Sequence, residues 1–574
     1  MAVYKINVAT GSDMAAGTLN NIFIILVGEH GESEKHQISR HWSHFLPGSV
    51  TEFDINVEKD IGELLLVRLT MERYLNFLLD DWFCQYVNVT NPSGQLYQFP
   101  FYQWISKPGS VEVPEGKGVI ITGSTHPILL RQRKAELEMN RETYKWKVYA
   151  EGVARCIDIE DDGVFKLPPN DQYSLLKEIS FGYNLLSMGF GTMLKGFLFN
   201  KDLWHNLEDI KLLSTLRQSQ KSGLVSEIWK EDYFFGSQYL NGVNPSLIKK
   251  CFKIPENFSV VDEMVASSLG PSTNLETELQ NGHIFLADYK ILENIPTNTI
   301  NGKQQYIAAP MCLLWKNPQD QLVPIAIQAW VFGDGGIPLL LKRAMEGMTY
   351  HNLCLPDNIV SRGMESIPNY LYRDDGMKIW LAVESFVSNI VNYYYTSDVM
   401  VKEDPELQAW VAEIFKEGFL QNTSSEVPSS LKSIASLIKY LTMVIFTCSA
   451  QHAAVNSGQF DTYSWMPNGP TTMKSPPPTA KGATMEDILK TLPDVNTTAL
   501  GLIFVWIVSN DPLDTRRLGN YPNKYFTEKT PQQSIKEFQD KLTEISKHIK
   551  ERNKTMDLPY AYLDPSVIEN SVSI

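Results

Sequence analysis

From the N-terminus to about residue 112, apolar and polar positions alternate. Val3 to Val8 (VYKINV) sets the pattern, and NIFIILVG, FDINV, LLLVRL and YVNVT follow, separated by Gly, Pro, Asn and Asp. Successive side chains of a strand point to opposite faces, so a period of two predicts half-buried strands. Several short strands with regular turn signals predict a sandwich. After Pro114-Glu115-Gly116 the period changes. RQRKAELEMNRETYKW is long, charged and rich in good helix formers, which predicts a helix. From there to the end helical periodicity dominates, interrupted by Pro, Asn and Gly loops. MKSPPPTAKGATMED predicts a Pro-rich loop feeding a helix, with Thr484 as its N-cap. SIKEFQDKLTEISKHIKERNK predicts an amphipathic surface helix whose charges form a solvated face. The expected fold class is therefore α+β multidomain, with a β-sandwich at 1–112 and a large, mostly α-helical domain at 113–574.

Composition narrows the function. The 574 residues are 43% hydrophobic and 20% charged, an ordinary globular balance. A net charge of -15 argues against nucleic-acid binding by counterion release. Six cysteines, Cys84, Cys156, Cys251, Cys312, Cys354 and Cys448, are widely spaced without a CxxC, which predicts reduced thiols in a cytoplasmic protein. MAVYKINVATGSDM lacks the basic and apolar regions of a signal peptide. The most apolar stretch, Leu441 to Ala454, is broken by Thr, Ser, Gln and His and reads as a buried helix, not a membrane span. No Ser/His/Asp set, Walker loop or dinucleotide fingerprint stands out, and no catalytic side chain is assigned.

The candidate chemistry sits in TMVIFTCSAQHAAVNSGQFD. His452 and Asn456 are four residues apart, on one helical face one turn apart. A lone histidine in an apolar helix is usually a hydrogen-bonded core residue, and Asn456 can be an interior polar side chain. The apolar-ended tail PYAYLDPSVIENSVSI predicts a docked terminus ending at Ile574. In the aromatic run EDYFFGSQY, the rings read as core and Glu231 and Asp232 as a structural polar pair.

The chain resembles an animal lipoxygenase of the vertebrate arachidonate type along nearly its whole length. The sandwich is similar to a PLAT (C2-like) domain through VATGSDMAAGT and LLDDW. The helical part matches through WKEDYFFGSQYLNGVNP, AAPMCLLWKN, VPIAIQ, YRDDG, EDPELQAW, AQHAAVNSGQ and ENSVSI. The resemblance implies a non-haem iron dioxygenase that makes hydroperoxides from polyunsaturated fatty acids and O2. It implies metal ligands at His452, Asn456 and the Ile574 carboxylate. It also implies a peripheral membrane surface and calcium in the sandwich. Gly17 and Thr18 match one calcium loop, Asp80 and Asp81 remain of another, and Trp104 matches a membrane-facing tryptophan.

Two departures alter that picture. The family carries two further ligand histidines, spaced H-x4-H, in a long helix after VPIAIQ. Here VPIAIQ runs on as AWVFGDGGIPLLLKRAMEG, so several helices are expected to be missing near 328–335. His351 is the only histidine between His283 and His452, and it matches another family segment. The chain's one H-x4-H, His36 to His41, lies in the β-domain and reads as coincidence. One imidazole, one amide and one carboxylate hold iron poorly, so low or absent dioxygenase activity is expected. The lost helices should also expose apolar surface, which fits a non-enzymatic variant that binds lipid or a full-length lipoxygenase. The second departure is HWSHFLPG, which lacks the acidic residues of a hard-cation loop. Thr462 stands where the family usually has an aromatic.

Overall fold

The computed structural model describes residues 2–39, 44–72, 81–106, 109–121, 125–158, 170–171, 204–214, 219–297, 299–300, 302–332, 336–478, 482–509 and 515–570. The expected alternation becomes a two-sheet sandwich. Its strands are β1 (Ala2–Thr10), β2 (Asn21–Gly28), β3 (Val50–Val57), β4 (Leu64–Glu72), β5 (Trp82–Thr90), β6 (Leu96–Ile105) and β7 (Gly109–Pro114). One sheet runs β3-β1-β5-β6, and the other places β2 beside β4 and β4 beside β7, all antiparallel. The inward residues of the two sheets, among them Ile6, Val8, Ile24, Leu26, Val87 and Phe99, are fully buried against each other. Trp82 closes one end and donates its indole N–H to Thr10 Oγ1 at 3.1 Å, so this buried polar atom is paired.

Helix α1 (Pro127–Thr143) follows, where the charged run predicted it. The helical part is not helical throughout. Lys249–Lys250 pairs with β8 (Ile284–Asp288), β8 with β9 (Ile307–Lys316), and β9 with β10 (Leu322–Phe332), giving a four-stranded antiparallel sheet. Sequence periodicity misses it because β9 is buried continuously from Met311 to Trp315, which erases the alternation of a one-sided strand. Ahead of it lie α2 (Gln220–Ile228) and α3 (Asp232–Asn241). Phe234 and Leu240 are core as expected, but Glu231 and Asp232 are exposed at the N-terminus of α3. Two carboxylates there complement the positive end of the helix dipole instead of forming a structural polar pair.

The short junction is visible in β10, which stays paired with β9 up to Ile307↔Phe332. Helix α4 (Ile337–Gly347) begins directly after Gly336. Arg343 on α4 donates to the backbone carbonyls of Ile291 and Glu293, docking the helix beside the sheet. The main core is built on α5 (Leu371–Tyr394), α6 (Ile434–Phe446) and α8 (Lys529–Asn553), with α7 (Val495–Val508) outside it. Asp375 on α5 is fully buried and accepts two bonds from Arg552 Nη1 on α8, at 2.8 and 2.7 Å. Burial raises the Asp375 carboxyl and Arg552 opposes that rise. The predicted N-cap is present: Thr484 Oγ1 accepts from Asp487 N while Asp487 reaches back to Thr484 N.

Candidate functional site

Helix α6 does not end at Phe446. Thr447–Gln451 forms one wide π-turn, and His452–Asn456 continues the same rod. Such a turn inserts an extra residue and is frequent at functional positions. One side of the rod, through Leu437, Tyr440, Met443, Phe446, Ala450 and Ala454, is buried in the main core. Ile434, Ile438, Leu441, Ile445, Cys448 and His452 follow at steps of three and four on another side; none is fully buried, and the first four still pack against the main core. Cys448 is exposed. By length and composition Ile434–Tyr463 could cross a membrane. From Leu441 to Ala454 every position but Cys448 is buried or half-buried, as expected of a core helix.

His452 and Asn456 are brought together. Asn456 Nδ2 lies 2.6 Å from His452 Nε2, and Gln459 Nε2 lies 2.7 Å from Asn456 Oδ1. Burial lowers the imidazole below its ordinary value, and the nearby Glu569 carboxylate works against that. The backbone is pinned as well: Ser509 Oγ donates to Asn456 O at 3.2 Å and accepts from Phe460 N at 3.1 Å. Thr462, at the position of the expected aromatic, is buried and donates to Gly458 O at 2.9 Å.

The C-terminal tail reaches this neighbourhood. Tyr560, Leu563 and Ile568 are buried. Leu518 N bonds Ile568 O at 2.9 Å, and Asn570 N bonds Arg516 O at 2.7 Å. Ile574 lies outside the described residues, as does Asp80. A second polar group anchors the tail: Asp461 accepts from Tyr562 Oη at 2.8 Å and from Ser219 Oγ at 2.5 Å. Lys221 Nζ stands 4.2 Å above the Tyr562 ring. Gln459, Asp461 and Lys221 escaped sequence reasoning. Gln459 lies inside the matched stretch AQHAAVNSGQ, which was the one available signal.

Iron can be tested against these donors. The ring nitrogen next to Asn456 faces an amide nitrogen, not a vacant position, and the amide oxygen already accepts from Gln459. Other imidazoles are engaged elsewhere. His283 bonds Glu278 at 2.9 Å, His351 lies 3.4 Å from Asp357, and His126 caps α1. His36 sits in a short strand pairing with Ile24, and His41 is outside the described residues. Among the described residues no group of three or more His, Cys, Asp and Glu could hold a metal. Among the described residues, His452 and Asn456 do not by themselves make up a stable non-haem iron site.

In the sandwich, Gly17, Thr18, Asp81 and Trp104 line one open cleft of about 2750 Å³ between the two domains. Gly17 packs against Phe45 and Pro47, where a Cβ would come within 2.8 Å of the Phe45 carbonyl. Thr18 is buried and bonds Phe45 O and Asn20 N. Trp104 is half-buried, edge-on to Phe83 at 5.3 Å, and its backbone N–H donates to Asn170 at 2.6 Å.

Comparison with known proteins gives the context. A PLAT/LH2 domain model matches residues 4–112, and a lipoxygenase model matches residues 325–561. Hydroperoxide isomerase ALOXE3 of Mus musculus is 41% identical over 713 residues, with all of both chains covered. Polyunsaturated fatty acid lipoxygenase ALOX15B of Homo sapiens is 39% identical over 679 residues, again with both chains fully covered. Both alignments are longer than the 574 residues of this chain, so these relatives carry segments that have no counterpart here. Among solved structures, a lipoxygenase in complex with arachidonate superposes with a TM-score of 0.93 at 27% identity, covering both chains completely. Coral 8R-lipoxygenase, described as calcium-activated through a C2-like domain, superposes at 0.90 with the same identity and coverage.

Proposed function

Because the chain belongs to the lipoxygenase family, whose members here include fatty-acid dioxygenases, we propose that it keeps the family's affinity for lipid while its own dioxygenase chemistry is low or absent. One observation carries this reading: the candidate ligands His452 and Asn456 are bonded to each other and to Gln459. A first-row metal prefers several imidazoles or carboxylates with an open position. A single imidazole and a protein-bonded amide supply little of that. The substrate class follows the relatives, polyunsaturated fatty acids such as arachidonate with O2, handled at a peripheral membrane surface in the cytoplasm. Calcium belongs to the same proposal, at the cleft edge marked by Gly17, Thr18 and Asp81, as a site weakened by the carboxylate-poor second loop.

The test is direct. The purified chain should contain well under one iron per molecule, and arachidonate or linoleate should give little growth in conjugated-diene absorbance. About one tightly held iron with brisk diene formation would end this reading. A parallel assay with a fatty-acid hydroperoxide covers the isomerase chemistry for which ALOXE3 is named.

A second reading is a non-enzymatic partner of a full-length lipoxygenase. Leu500 and Phe504, one turn apart and exposed on α7, favour it. Co-expression should lower the rate or change the location of the full-length enzyme; no change in either counts against it.

A further inference from the structure

Lys221 is the second residue of α2, just behind the Ser219 cap. It is half-buried, and its Nζ stands 4.2 Å from the centre of the Tyr562 ring. Among the described residues no oxygen accepts from this ammonium and no carboxylate pairs with it. The reason is directional. Asp461 is the acid whose charge reaches Lys221, but its oxygens are taken: Oδ1 accepts from Ser219 Oγ at 2.5 Å and Oδ2 from Tyr562 Oη at 2.8 Å. Other lysines are placed differently. Lys117, Lys490 and Lys554 each reach a glutamate carboxylate within 3 Å.

Three effects favour the neutral amine at this position. An ammonium has three N–H bonds to donate, and the protein offers them no acceptor. Burial removes part of the water that would take their place. The first turn of a helix carries the positive end of its dipole, which disfavours a cation there. The Tyr562 face and the Asp461 charge act in the opposite sense. Burial outweighs them and brings the pKa down to about 8.

We infer that Lys221 is a site of covalent capture for apolar aldehydes, its unpaired amine forming an imine over the face of Tyr562. The Nζ lone pair adds to the carbonyl carbon, a proton passes from nitrogen to the former carbonyl oxygen, and loss of one water leaves the C=N bond. No electron enters or leaves, so neither a metal nor an oxidant takes part. A lysine desolvated beside apolar surface is suited to this chemistry. The phenol ring gives the aldehyde's hydrocarbon chain a flat apolar surface, whereas an aldehyde that carries its own carboxylate meets the charge of Asp461. Aldehydes of the apolar kind form when fatty-acid hydroperoxides break down. The inference goes beyond the proposed function and stands whether or not this chain oxygenates lipid.

The test uses the full, metal-stripped chain with hexanal and cyanoborohydride at pH 7, which converts each imine into a stable alkylated lysine. Mass spectrometry of chymotryptic peptides then gives a labelling rate for each lysine, with Lys117, Lys490 and Lys554 as internal references. A fall in pKa from the ordinary 10.4 to about 8 raises the neutral fraction at pH 7 by about two hundredfold, and restricted access takes back part of that gain. Lys221 should therefore be labelled at least about tenfold faster than the references, and the advantage should vanish in urea. Labelling no faster than the references overturns the inference, and so does an advantage that survives unfolding. A parallel reaction with glyoxylate, a carboxylate-bearing aldehyde, should show little preference for Lys221. The same preference with glyoxylate as with hexanal overturns the assignment to apolar aldehydes.

Discussion

Lys221 shows what burial does to a single charge. The ammonium stands over the Tyr562 ring, and burial brings its pKa down to about 8, with Asp461 pulling the other way. In the unfolded chain an ordinary lysine keeps its proton to about pH 10.4. Between these two values the unfolded chain binds more protons than the folded one, so this residue makes stability rise with pH across the window. Below it both states are protonated and the penalty is constant. Lys221→Met removes the titration. The variant should be more stable than wild type at pH 7, and the difference should shrink by pH 10, as measured by urea unfolding at both values. A pH-independent difference would show that the amine is not disfavoured by the fold. At this scale the sequence revealed only what is local. His452 and Asn456 were legible because one helical turn separates them. The Lys221–Tyr562–Asp461 group was not, because its members come from three distant segments that only the fold brings together.

At the scale of elements, α3 and β10 make the closest approach. A Cβ on Gly236 would fall 1.7 Å from the Leu322 carbonyl oxygen, so helix backbone rests on strand backbone. No side chain can swing away to relieve that contact. Gly236→Ala should cost at least about 3 kcal/mol, at the upper end for overpacking, because strand backbone must move to make room. Denaturant unfolding checks it, and a loss under 1 kcal/mol would mean that α3 sits further from β10 than described. Sequence patterning recovered the elements with clear periods and caps: the sandwich strands, α1, α8 and the Thr484 cap. It missed the β8–β9–β10 sheet, whose strands have no polar face to mark them. It located the abrupt step from VPIAIQ to the glycines, but not that β10 would continue to Phe332 and α4 dock at once through Arg343. That closure depends on contacts with residues 290–295, which no local pattern encodes.

At the scale of the whole molecule, Glu528 ties the linker that follows the sandwich to the helical core. It precedes α8 and spends its carboxylate on the linker, not on capping its own helix. Its Oε1 accepts from Gly118 N at 2.8 Å and from Tyr394 Oη at 3.0 Å. The Tyr394 hydroxyl is held well above its usual pKa, by burial first and then by this carboxylate, so it remains a donor. The backbone bond from Thr527 N to Gly116 O at 3.2 Å and the Tyr102–Tyr525 ring contact lie beside it, and the Trp104–Asn170 bond joins the sandwich to the chain further along. The linker passes close enough that a Cβ on Gly118 would meet the Tyr394 ring at 2.5 Å. Beside an open cleft, motion of the sandwich against the helical domain is the expected result once this tie is removed. Glu528→Ala should therefore loosen the docking by about 1–3 kcal/mol, the cost of leaving the Gly118 N–H and the Tyr394 hydroxyl without this partner. The helical core, secured separately by Asp375 and Arg552, should keep its own unfolding transition. Two readouts separate these outcomes: a larger radius of gyration by solution scattering, and faster tryptic cleavage after Lys117 in the linker. If both stay at wild-type values, the docking is held by the apolar contacts of α1 and the sandwich, and Glu528 is not its tie.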